Sequence, residues 1–116
     1  MDYSQLSDAE IAQKVWFWWN SNIIHDNTIC CMSGGKMLYQ KNEVWVAFDP
    51  CNSVTDAWPI IESERISLLA DYEKWGETTA ACETDRGGDY IYEYCDKKAF
   101  RAAMIVFLQM QAEKHA

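Results

Sequence analysis

Positive charge is scarce in this chain. Lys and Arg number 10 against 18 Asp and Glu in 116 residues, for a formal net charge of −8. Nucleic-acid affinity rests on cations that neutralise phosphates, so no direct nucleic-acid partner is expected. Histidine is nearly absent, occurring only as His25 and His115, the latter in the tail. No apolar run approaches the ~20 residues that a spanning helix needs. The first ten residues are polar and acidic, where a secretory leader would be basic and then apolar. Neither a membrane nor an export route is therefore expected. Internal repeats, linkers and low-complexity tracts are also lacking.

The remaining composition is globular. Hydrophobic residues make up 49% and aromatics 14%, with six Trp. The length fits one domain, residues 1–116, and a chain of this size buries roughly two-thirds of its unfolded surface. The five cysteines, Cys30, Cys31, Cys51, Cys82 and Cys95, are odd in number. Without an export signal they are expected to be reduced. The acidic balance serves solubility, or offers an acidic surface to a basic partner.

Ser7 with Glu10 three residues on forms a capping-box pattern, and Leu6 with Ile11 a hydrophobic staple. Ile11, Val15, Trp18 and Trp19 follow on one helical face. The helix should fade near Asn20-Ser21-Asn22. Thr28 to Met32, Met37 to Tyr39 and Val44 to Phe48 read as strands, joined by turns at Ser33-Gly34-Gly35-Lys36 and Lys41-Asn42. Asp49-Pro50 ends the third. A second helix is expected over 53–63, starting as late as Ala57 or bending at Pro59. Arg65 to Tyr72, Glu77 to Glu83 and Asp89 to Cys95 read as strands. Asp96 can cap a last helix running to about Glu113. The order α-β-β-β-α-β-β-β-α defines an α+β layered sandwich: a mainly antiparallel sheet of five or six short strands with three helices.

The last helix is apolar on two sides. Phe100, Ala103, Met104, Phe107 and Leu108 make one stripe, and Ala102, Ile105 and Val106 fill much of the other. Such a helix is buried or shared. One sheet covers only one face, so the other meets a second helix or a second subunit, which keeps a homodimer open.

Trp16, Phe17, Trp18 and Trp19 are consecutive, so at about 100° per residue they point nearly all round their helix. Phe17 falls among Glu10, Gln13 and Lys14 on the polar side. It is either covered by the following segment or exposed as part of a partner surface, where aromatic anchors dominate binding energy. Tyr90, Tyr92 and Tyr94 alternate on one strand face, which is either half-buried or a contact platform. Asp85 and Asp89 lie in the adjoining turn. Together with Trp16 and Phe17, these residues form the candidate partner surface.

Patterns for chemistry are thin. Adjacent Cys30 and Cys31 on a strand point to opposite faces and chelate poorly, even with His25 nearby. Glu83, Asp85 and Asp89 lack calcium-loop spacing. Gly34-Gly35-Lys36 lacks the rest of a phosphate-binding loop. Cys51 has no obvious His to activate it. Asp49, Asp56 and Glu62 surround the central motif and could pair as general acid and base, but they also suit caps and a charged first turn. No cofactor is expected.

Three segments carry a family resemblance. They are Met1 to Ile11; Asp49-Pro50-Cys51-Asn52-Ser53 with Asp56-Ala57-Trp58-Pro59-Ile60-Ile61-Glu62 and Ile66-Ser67-Leu68; and Arg101-Ala102-Ala103-Met104-Ile105-Val106-Phe107-Leu108. In this order the chain resembles the NinX-like, or phage ABA-sandwich, proteins of tailed phages and prophages. The resemblance breaks at Trp16 to Trp19 and at Lys98-Ala99, where related chains tend to have Asn-Pro. It implies a phage-encoded helix-and-sheet sandwich and brings no chemistry. The expectation is a non-enzymatic phage accessory protein acting by protein contact on a host or defence factor in the infected cell's cytoplasm. A small enzyme or ligand-binding domain at Asp49, Asn52 and Asp56, and a homo-oligomer built on the last helix, are the alternatives.

Overall fold

A computed structural model of the chain describes residues 2–23, 30–70, 76–83 and 90–114. A short 3-10 turn, Tyr3–Gln5, leads into α1, Asp8–Ile23. The capping box forms as its sequence requires: the Ser7 hydroxyl accepts from the Glu10 N–H and Glu10 Oε1 accepts from the Ser7 N–H, both at 3.1 Å. Two of the helix's orphan donors are thereby satisfied. α1 runs to Ile23, through the expected fading point.

Strands β1 (Cys30–Ser33), β2 (Lys36–Lys41) and β3 (Val44–Ala47) form an antiparallel meander. Its two hairpins turn at Gly34-Gly35, φ 59° and 74°, and at Asn42-Glu43, φ 51° and 68°. Two successive positive φ angles suit the twist of a two-residue hairpin. The second turn thus lies one residue later than the Lys41-Asn42 reading.

Helix α2, Val54–Ser63, contains Pro59 and is not delayed by it. Pro59 and Thr55 are both on the exposed side. Pro59 removes the helical donor to the Thr55 carbonyl on this side of the helix. Ser53 occupies the N-cap position without a side-chain capping bond. The helix ends through Glu64 and Arg65, the latter left-handed at φ 54°.

A second antiparallel sheet follows, with β4 (Ile66–Ala70), β5 (Thr78–Glu83) and β6 (Tyr90–Asp96) in sequential order. The α+β class and the element order match the sequence reading. The six strands divide into two three-stranded sheets.

Helix α3, Ala99–Lys114, is the centre of the molecule. It packs on all three strands of the second sheet and also on α1 and α2. Ala102 through Leu108 are each at most 1% exposed. Both apolar stripes of this helix are therefore covered within one chain, and that stretch leaves no exposed apolar face for a second copy. The first sheet docks through β2 on α1. Met37 and Phe48 are buried there, and Tyr39 packs against the same core.

Candidate functional site

The four aromatics of α1 divide as helical geometry demands. Trp16 is half-buried; its ring stacks on Tyr39 at 4.5 Å and meets Phe48 edge-on at 5.2 Å. Trp19 meets Phe107 of α3 edge-on at 6.3 Å. Trp18 is half-buried. Phe17 remains 64% exposed, edge-on to Trp18 at 5.3 Å. Beside it lies a groove of about 440 Å³ lined by Tyr3, Gln13, Lys14, Phe17, Trp18 and Leu108. Of the α1 pair in the expected partner surface, Phe17 is available, while the ring of Trp16 is committed to the first sheet.

Tyr92 and Tyr94 are half-buried against the core. The Tyr92 hydroxyl donates to Glu113 Oε2 at 2.6 Å, tying the end of α3 to the sheet. That bond, with the nearby Glu113 charge, pushes the phenol's pKa up. These two rings form a packing face and not the free platform that is the second reading of the sequence. The Tyr90 side chain, Asp85, Asp89 and His25 lie outside the described residues.

A polar network occupies the start of α1. The Asp8 carboxylate accepts from Lys98 Nζ at 2.6 Å, Arg101 Nη1 at 2.7 Å and Asn52 Nδ2 at 3.0 Å. The same guanidinium reaches Asp96 Oδ2 at 3.2 Å and the carbonyls of Leu6 at 2.8 Å and Ser4 at 3.2 Å. Asn52 Nδ2 also meets both Asp49 oxygens, at 3.0 and 3.1 Å. The Asp49 N–H donates to Asp56 Oδ2 at 2.9 Å. Partial burial alone would raise the Asp8 pKa, but the Lys98, Asn52 and Arg101 donors outweigh it and hold the carboxyl below its ordinary range. Asp96, three residues before α3, accepts from the Lys98 N–H at 2.9 Å, so its carboxylate serves the helix start and the guanidinium together.

Asp49 and Asn52, with Asp8, Ala9, Gly35, Lys36, Met37, Ala47 and Phe48, line a second cavity of about 370 Å³. Asp56 does not line it; it braces the loop behind. Cys51 is buried, which pushes its thiol up to about 12, with the Asp8 charge adding to the effect. It is therefore a thiol and not a thiolate at neutral pH. Cys30 and Cys31 are both exposed. Among the described residues, no three His, Cys, Asp or Glu side chains converge as a metal site.

Asp8, Lys98 and Arg101 were not singled out as a site in the sequence. Asp8 and Arg101 stand 93 positions apart, so no local spacing joins them. Lys14 and Gln13 were visible as Phe17's helical neighbours, but the part played by Tyr3 and Leu108 required the fold.

The network contains residues from all three segments that carry the phage resemblance. A family model described as Bacteriophage P22, NinX matches residues 2–111. The chain belongs to that family, which makes it a phage accessory protein. A search of curated proteins finds no match. Among the described residues, no helix is long and apolar enough to cross a membrane.

Proposed function

We propose that this phage accessory protein acts by protein–protein contact in the cytoplasm of the infected bacterium, without chemistry of its own, through a face centred on Phe17. The observation that carries the reading is the 64% exposure of Phe17 at the edge of a groove about 440 Å³ in volume. An exposed aromatic flanking a concave apolar surface is the usual form of an energetic anchor. Its target is a host protein, with a component of anti-phage defence as the more specific proposal.

The test is quantitative capture from infected-cell lysate with wild type and with Phe17→Ser, both verified as folded by circular dichroism. A partner recovered by wild type and lost by Phe17→Ser is the expected result. No partner, or one recovered equally by both, overturns the reading.

The cavity beside Asp49 and Asn52 favours a second reading, a small-ligand site. Native mass spectrometry of protein purified from infected cells tests it. A stoichiometric adduct lost in Asn52→Leu supports it, and bare protein in every preparation counts against it.

A further inference from the structure

The groove beside Phe17 carries a local charge opposite to that of the chain. Among its lining residues, Tyr3, Gln13, Lys14, Phe17, Trp18 and Leu108, the single ionised side chain is the cation Lys14. The whole sequence has a net charge of −8. Among the described residues, Lys14 has no carboxylate within ion-pair distance.

The reason is local. Glu10 stands four residues before Lys14, the helical spacing that ordinarily joins Glu to Lys. The Glu10 carboxylate is instead turned back onto the Ser7 N–H at 3.1 Å, closing the capping box. The Lys14 charge still acts on the Glu10 carboxylate, but among the described residues Lys14 makes no ion pair beside the groove.

We infer that this groove takes an apolar side chain from a partner segment that carries an adjacent carboxylate. Phe17 and Trp18 receive the apolar group, and Lys14 pairs the carboxylate. The inference rests on the protein-contact reading and names its specificity. The apolar anchor supplies most of the affinity. The rim charge selects between partners and speeds encounter. A basic segment would meet like charge at Lys14. Carboxylates beyond about 8 Å are screened at physiological ionic strength, while Glu10, held in the capping box within reach of the Lys14 charge, moderates the preference without cancelling it.

The test uses the full chain, isotope-labelled, and two blocked tripeptides, acetyl-Leu-Phe-Glu-amide and acetyl-Leu-Phe-Lys-amide. Amide shifts of Gln13, Lys14, Phe17 and Trp18 report binding. The Glu peptide should bind saturably and about threefold more tightly than the Lys peptide, the scale of one exposed ion pair. Lys14→Glu should invert the order, Lys14→Gln should abolish the difference, and Phe17→Ser should weaken both peptides. Equal affinities in wild type, a preference for the Lys peptide, an unchanged order in Lys14→Glu, or no saturable shift with either peptide would each overturn the inference. Capture that depends on Phe17, found alongside any of these results, removes the charge selectivity and leaves the contact reading standing.

Discussion

The guanidinium of Arg101 bonds the carboxylate of Asp8 at 2.7 Å, joining residues 93 positions apart in the chain. The bond fastens the start of α1 to the start of α3, and through Asn52 to the loop before α2. The Arg101 side chain is only 11% exposed, and its remaining donors go to Asp96 and to the carbonyls before α1. A planar fork with several donors suits this position and a lysine does not.

Asp8→Asn should therefore destabilise the protein by about 2 kcal/mol, the scale of hydrogen bonds to a charged group. Lys98→Ala should cost much less, since the Lys98 side chain is 51% exposed and its ion pair faces solvent. Urea unfolding of the two variants checks the order. Equal losses would mean that the Arg101 and Asn52 contacts add little.

The Asp8 contribution should also depend on pH. Its carboxyl is held below its ordinary range in the folded state, so unfolding raises its pKa. The stabilisation is fully present above the unfolded value near pH 4 and is lost as pH falls through the lower folded value. The stability gap between wild type and Asp8→Asn should therefore be complete at neutral pH and shrink below about pH 4. A gap that stays constant into acid would contradict the charge-assisted network.

Thiol reactivity should divide by burial. Cys30 and Cys31 are exposed, whereas Cys51 is 2% exposed with its thiol pushed up to about 12. Brief treatment of native protein with iodoacetamide at mildly alkaline pH should label Cys30 and Cys31 and spare Cys51, with denaturation exposing it. Peptide mass spectrometry reads the outcome directly. Early labelling of Cys51 would count against its buried position.

Arg65 adopts φ 54° just beyond α2, a left-handed position usually taken by glycine. It is exposed, so its side chain gives up little packing on replacement. Arg65→Gly should raise stability by about 1 kcal/mol through relief of the Cβ conflict, partly offset by chain entropy. Thermal unfolding should show a higher midpoint, and an unchanged or lower one would indicate a contact made by the Arg65 side chain.

Much of the local structure was legible in the sequence because it depends on neighbours. The Ser7–Glu10 cap, the Gly34-Gly35 turn and the alternation of β6 all follow from spacings of four residues or fewer, while the second turn falls one residue later than read. Pro59 left the start of α2 open, and the helix begins before it at Val54, with Thr55 and Pro59 on the exposed side. Tyr92 and Tyr94 were placed on a common face, yet alternation is the same whether that face meets solvent or a helix.

The sequence by itself determined the α+β order, the burial demand of the last helix and the three segments that mark the family. Periodicity and capping are short-range, and they record which side of an element is apolar. Only the tertiary structure decided what each side meets. It gave α3 a sheet on one side and helices on the other, left Phe17 uncovered, and brought Asp8 to Arg101. Those outcomes depend on contacts between distant parts of the chain, for which single-residue spacing carries no signal.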